Sequence, residues 1–247
     1  MRKAPKQAPT IAAAAQSRLV RECAYGVPMS VAEEKPPASR KPPDAILLKV
    51  LEAVPFQLTT DGGVEASRQR FRDLPRRPVH PDVRTEERTI DGPAGPIPIR
   101  VYRPPTVGEA ALPVVVFLQG GGWSVGDLDT YDGDARNHAV GAGAVVVSVD
   151  YRLAPEHPYP GAVEDAWAQH NGHRRTPSAY IAVAGYDPLR DDGSRYAELL
   201  AAAGVSTQVH NAETLIHGYL GYAGVVPAAT DAMDRGLSAL REALHVT

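Results

Sequence analysis

Three apolar runs constrain this chain more than anything else in it: Pro113 to Leu118, Ala144 to Val149 and Ala179 to Ala184. A strand with one solvated face alternates apolar and polar residues, whereas a strand covered by helices on both faces can be apolar throughout. Each run is therefore expected to be a buried strand of a parallel sheet, with Thr207 to Val209 as a candidate fourth. Asp132 to Val140 can supply the crossover helix between the first two strands. Tyr196, Leu199, Leu200 and Ala203 then keep the i, i+3, i+4, i+7 spacing of an amphipathic helix. Asp191 or Asp192 can cap that helix and Gly204 can end it. Strands alternating with helices imply an α/β fold, a doubly wound and mostly parallel sheet.

The flanks complete one domain over residues 44–247. Asp44 can cap a helix carrying Ile46, Leu47, Val50 and Leu51 on one face and stopped by Pro55. A charged helix is expected over Val64 to Leu74. Ile97, Ile99 and Val101 alternate with other residues after the turn signal Asp91-Gly92-Pro93-Ala94-Gly95, which reads as a hairpin. A last helix starts near Pro227 and carries Met233, Leu237, Leu240 and Leu244. Residues 1–43 are of another kind. Arg2, Lys3, Lys6, Arg18 and Arg21 all precede the first acid, Glu22, and Lys35 to Pro43 is a Pro/Lys-rich linker. This reads as a disordered basic extension. Its apolar stretch, Ile11 to Ala15, is too short for a signal peptide.

Charge and composition remove several function classes. A net charge of -3 leaves no electrostatic footprint for nucleic acid. No apolar run approaches the ~20 residues of a membrane span. Cys23 is the only cysteine, so neither an internal disulfide nor a cysteine-rich zinc site is available, in keeping with a reducing, cytoplasmic compartment. His170, His173 and His210 lack the helical or carboxylate-supported spacing of a metal site.

The segment richest in chemistry is Val114-Val115-Val116-Phe117-Leu118-Gln119-Gly120-Gly121-Gly122-Trp123. A strand running into three glycines can turn backbone N–H groups toward a ligand oxygen at close range. Asp150-Tyr151-Arg152-Leu153-Ala154-Pro155-Glu156-His157-Pro158-Tyr159-Pro160 follows the next strand, with Glu164-Asp165-Ala166 after it. Tyr186-Asp187-Pro188-Leu189-Arg190-Asp191 and Ile216-His217-Gly218-Tyr219 come later, again where strands end. An acid after one strand can orient an imidazole after another, across the strand ends where open α/β sheets bind ligands. Arg152, Glu156 and Asp165 read as ion pairs bracing the domain.

In this order the motifs resemble the α/β-hydrolase fold, specifically the hormone-sensitive-lipase-like esterases and lipases of mycobacterial Lip type, from about residue 44 onward. The resemblance implies a carboxylic ester hydrolase for short- or medium-chain esters. Asp187 would be the triad acid, His217 the general base, and Gly120, Gly121 and Gly122 the oxyanion loop. It implies a small-molecule ester or acyl ligand as partner, needs no metal or organic cofactor, and allows a homodimer.

The chain departs from that family at three places. Gln119 stands where the family has histidine before the glycines. The family also places a strand, Gly-Asp-Ser-Ala-Gly-Gly and a helix between the counterparts of Trp167 and Pro177. Only Ala168-Gln169-His170-Asn171-Gly172-His173-Arg174-Arg175-Thr176 stands here, and a βαβ unit needs ~30 residues. Reading Ile181 to Asp187 as the missing strand instead offers no serine. Third, Gly122-Trp123-Ser124-Val125-Gly126 is a literal Gly-x-Ser-x-Gly, but it lies inside the Gly-rich loop rather than on a sharp strand-to-helix turn. Ser124 is read as a loop residue, with a relocated nucleophile as the alternative. The expectation is a hydrolase fold lacking central strand and part of its cap, and weak or inactive. The alternative is a non-catalytic pseudo-enzyme, binding acyl ligands or left by an internal gene deletion. Pro113–Leu118 and Ala179–Ala184 are expected in one parallel sheet, with Asp187 and His217 at the same edge.

Overall fold

The computed structural model describes residues 41–53, 61–105, 111–168 and 178–245. The expected extension therefore lies outside the described residues up to position 40, as do Pro55 and the join at 169–177. The elements run α1 (Ala45–Ala53), α2 (Gly63–Arg72), β1 (Arg84–Gly92), β2 (Gly95–Arg103), β3 (Val114–Leu118), α3 (Asp132–Ala142), β4 (Val145–Val149), α4 (Gly161–Ala168), β5 (Ala179–Tyr186), α5 (Arg190–Ala202), β6 (Thr207–Ile216), a 3₁₀ turn (Tyr219–Tyr222) and α6 (Pro227–Leu244).

Local chemistry accounts for most boundaries. Asp44 Oδ1 accepts the Ile46 and Leu47 N–H groups at 2.9 Å each, starting α1 as a capped helix. Gly204, at φ +80°, closes α5 in a Schellman turn, with Val205 N–H reaching the Leu200 carbonyl at 3.0 Å. The acids expected to cap α5 sit inside its first turn instead; no side chain caps the helix. Pro227 opens α6 at a position where the missing N–H costs nothing.

The strands form two sheets, which corrects the expectation of one. Four are ordered β1-β2-β4-β3, with β1–β2 and β2–β4 antiparallel and β3–β4 parallel. The other two, β5 and β6, pair parallel to each other. The doubly wound α/β layout stands, but β3 and β5 share no sheet. A sheet continues only through neighbouring backbones, and among the described residues no strand lies between β3 and β5. The pieces are tied through helices: α3 packs on α6, Gly141 leaves room for Leu237, and Arg241 Nε donates to the Gly141 carbonyl at 2.8 Å.

β4 is buried as its composition demands, but β3 is not. Val115 and Phe117 pack with Tyr102, Val146 and Ala139, while Val114, Val116 and Leu118 are 59%, 46% and 46% exposed. An uncharged strand with an unpaired edge is a template for another chain. Self-association rising with concentration is therefore expected, and Val116→Lys should move the protein toward monomer. Sedimentation behaviour that is the same for both proteins across a wide concentration range would refute this.

Candidate active site

Asp187 and His217 come together because β5 and β6 are parallel neighbours. Up to Ala184 the strands pair residue for residue, Ala184 lying opposite Ala212. A bulge then lets Tyr186 face Ile216, so that the next residue of each strand, Asp187 and His217, meets the other. Gly185 permits the bulge, since a Cβ there would overlap the Glu213 backbone. Asp187 Oδ1 accepts the Leu189 N–H at 2.8 Å, and Oδ2 takes His217 Nδ1 at 2.9 Å. The carboxylate is thus oriented by backbone on one side and presents its other oxygen to the ring. Its side chain is 14% exposed and that of His217 is 63% exposed, leaving the imidazole open to solvent. Such a pair fixes a tautomer with Nε2 free to accept a proton.

The Gly-rich loop forms at the C-terminal end of β3. Gly121 and Gly122 lie at φ +124° and +58°, and a Cβ on Gly121 would overlap the Val125 carbonyl. Trp123 also adopts a positive φ, 57°, uncommon for a bulky side chain. Ser124 sits within the turn, its N–H donating to the Gly121 carbonyl at 3.1 Å and its hydroxyl to the Gly122 carbonyl at 3.2 Å. Among the described residues no hydrogen bond joins this loop to Asp187 or His217.

Two cations hold the loop and the segment after β4. Arg68 of α2 donates to the Ser124 carbonyl at 2.9 Å and the Ala154 carbonyl at 3.0 Å, and grips Glu156 with two bonds of 2.8 and 2.7 Å. That guanidinium pulls the Glu156 carboxyl down to about 2. Arg152 pairs with Asp165 at 2.8 Å and Glu164 at 3.4 Å, so the residues expected to brace the domain do form ion pairs, with Arg68 as the partner of Glu156. Beside the loop, Arg68, Gly126, Asp127, Asp150, Leu153 and His157 line a cleft of about 430 Å³. Burial, reinforced by Asp127 and Asp129, raises the Asp150 carboxyl above its usual range against the pull of Arg100.

A family model described as "alpha/beta hydrolase fold" matches residues 115–174 and again 168–221. Esterase LipI of Mycobacterium tuberculosis is 46% identical, the match covering 87% of this chain and 98% of LipI. This chain belongs to the hormone-sensitive-lipase-like esterases of the α/β-hydrolase fold. Carboxylesterase NlhH of the same organism is 36% identical, over 85% of this chain and 99% of its own. The crystal structure of DphMB1 superposes with a TM-score of 0.75 at 45% identity, covering 83% of this chain and all of that one.

The form of the esterase matches carries information of its own. The LipI alignment runs over 319 positions, more than the 247 residues present here. The two family matches meet at 168–174, between α4 and β5, so the unmatched stretch of the esterase relatives is internal. His170 and His173 fall in that join, outside the described residues, whereas His210 lies in β6. No helix among the described residues is long and apolar enough to cross a membrane. Sequence reasoning missed the bulge opposite Gly185 and the Leu189 N–H that orients Asp187. The glycine before Tyr186 was the one visible sign of the close approach.

Proposed function

We propose that this chain is an ester-hydrolase scaffold without its serine nucleophile, binding small ester or acyl ligands and hydrolysing them weakly or not at all. The observation that carries the reading is the pair of family matches abutting at 168–174 while β3 and β5 stand in separate sheets. A nucleophile elbow belongs on a strand between those two. In the complete reaction serine attacks the ester carbonyl, His217 takes the hydroxyl proton and returns it to the leaving alkoxide, and Asp187 holds the imidazole. The N–H groups of the Gly120–Gly122 loop receive the oxyanion. Here the acid, the base and the loop remain, and an attacking oxygen is what they lack. Esters of short or medium acyl chains are the ligand class, and the single cysteine accords with a cytoplasmic location.

Ser124 is the one rival nucleophile, and its hydroxyl is engaged by the Gly122 carbonyl instead of an imidazole. A fluorophosphonate probe with peptide mass mapping decides between the readings. We expect no label anywhere on the chain and no effect of Ser124→Ala. Stoichiometric labelling of Ser124 that disappears in His217→Ala would establish a relocated nucleophile and sink the proposal.

A further inference from the structure

Beneath the Gly-rich loop lie polar groups without a hydrogen-bond partner among the described residues. Gln119 directly follows β3 and is only 5% exposed, yet neither its Nε2 nor its Oε1 has a hydrogen-bond partner. Ser148 of β4 is 1% exposed and its Oγ is equally unpartnered. The two are close in register. Ser148 stands opposite Phe117, and Gln119 lies two residues beyond Phe117. Alternation puts Ser148 on the face of the sheet that Phe117 occupies. The Gln119 amide is on that face too. A point 3.2 Å from its Nε2 lies 3.1 Å from the ring of Tyr131, and that ring packs 6.3 Å from Phe117. The point is where a Cβ of Gly126 would stand, so the glycine leaves that wall of the space open.

A buried amide and hydroxyl left bare cost on the order of 1–3 kcal/mol each, which native structures rarely accept. These groups are sealed from bulk solvent and lie beyond hydrogen-bond reach of each other. A small molecule able both to donate and to accept would satisfy them. Water needs two to four polar partners, and Nε2, Oε1 and Oγ supply three. We propose that the space between Gln119, Ser148 and Gly126 is a buried water site, through which the amide of Gln119 pins the Gly-rich loop to β4. Gln119 is then a positioning residue. This inference does not depend on whether the chain hydrolyses anything.

The experiment is a double-mutant cycle on the full chain, read as urea midpoints for the native protein, Gln119→Leu, Ser148→Ala and the double variant. A bridged site predicts that each single change lowers the midpoint, and that the double change lowers it by clearly less than the two combined. A dry site predicts the opposite sign, because removing an unsatisfied buried group relieves a penalty. A midpoint unchanged or raised by Gln119→Leu, or strictly additive losses, would overturn the proposal. Should Gln119→Leu not fold, Ser148→Ala alone, which deletes one oxygen, still separates a lowered midpoint from an unchanged or raised one.

Discussion

The 247-residue chain should hydrolyse short p-nitrophenyl esters at least about 10⁴-fold more slowly than a complete esterase, whose turnover is ordinarily ~1–10³ per second. On the proposed reading the covalent route is lost with the attacking serine. What would survive is the loop's N–H donors and binding, worth ~10³–10⁴ over water in enzymes stripped of their triad. That remainder also depends on loop geometry, and Gln119 has replaced histidine at the head of this loop. Initial-rate assays at saturating ester measure the effect directly, and a turnover above about 0.1 per second would refute it. A chimera gives the converse. Grafting into the join at 168–174, where the family matches meet, the stretch of LipI that this chain lacks should make the chimera react with the fluorophosphonate within the grafted segment. His217→Ala in the same chimera should abolish it.

Arg152→Ala should destabilise the domain by more than a surface ion pair contributes, because it leaves the Asp165 carboxylate without its cation. Asp165 on α4 is 1% exposed. Its oxygens take the Arg152 N–H at 3.0 Å, Nε at 2.9 and 3.0 Å and the terminal nitrogen at 2.8 Å. Burial pushes the Asp165 carboxyl up, but the side-chain and backbone bonds from Arg152 outweigh it and hold it below its usual range. A carboxyl depressed on folding contributes stability above its unfolded pKa of ~3.9, and that contribution fades as pH falls through the folded value. Without the guanidinium, burial is opposed only by the backbone N–H of residue 152 and by His157, so the stability lost on lowering the pH toward 4 should be smaller in the variant than in the native protein, or turn into a gain. Urea denaturation at pH 7 and pH 4 checks both magnitude and sign. A loss under about 1 kcal/mol at pH 7 would mark the pair as no stronger than a surface contact.

Much of this architecture is legible in the residues because it depends on local chemistry. The Asp44 cap, the hairpin with Ile97, Ile99 and Val101 inward, and the Gly204 stop each follow from the residues that make them. The pairing of Asp187 with His217 was legible from strand-end position together with family register. The bare face of β3 was not. An unbroken apolar run records that a strand suits a two-sided burial, and it carries no information on whether the covering neighbour is still encoded. Val114 and Val146 look alike in the chain, though one is half exposed and the other sealed. Nor does period betray the bulge in β6, since two extra residues leave the two-residue repeat in phase. The orphaned amide of Gln119 was hidden for a related reason. Its chemistry depends on Ser148 and Gly126, distant in sequence and innocuous by themselves.

The bulge opposite Gly185 has a bearing on how such chains are sorted. Everything that fixes the Asp187–His217 contact, from β5 through the Leu189 amide to β6, is encoded after residue 178. On the proposed reading this pair is a self-contained proton relay, and an excision upstream would leave it assembled and exposed. A survey that recognised working esterases by their aspartate and histidine motifs, or even by the distance between those side chains, would count this chain among them. On that reading, what would distinguish a working member from this chain is continuity of hydrogen bonding from β3 to β5, a property of the backbone with no motif of its own.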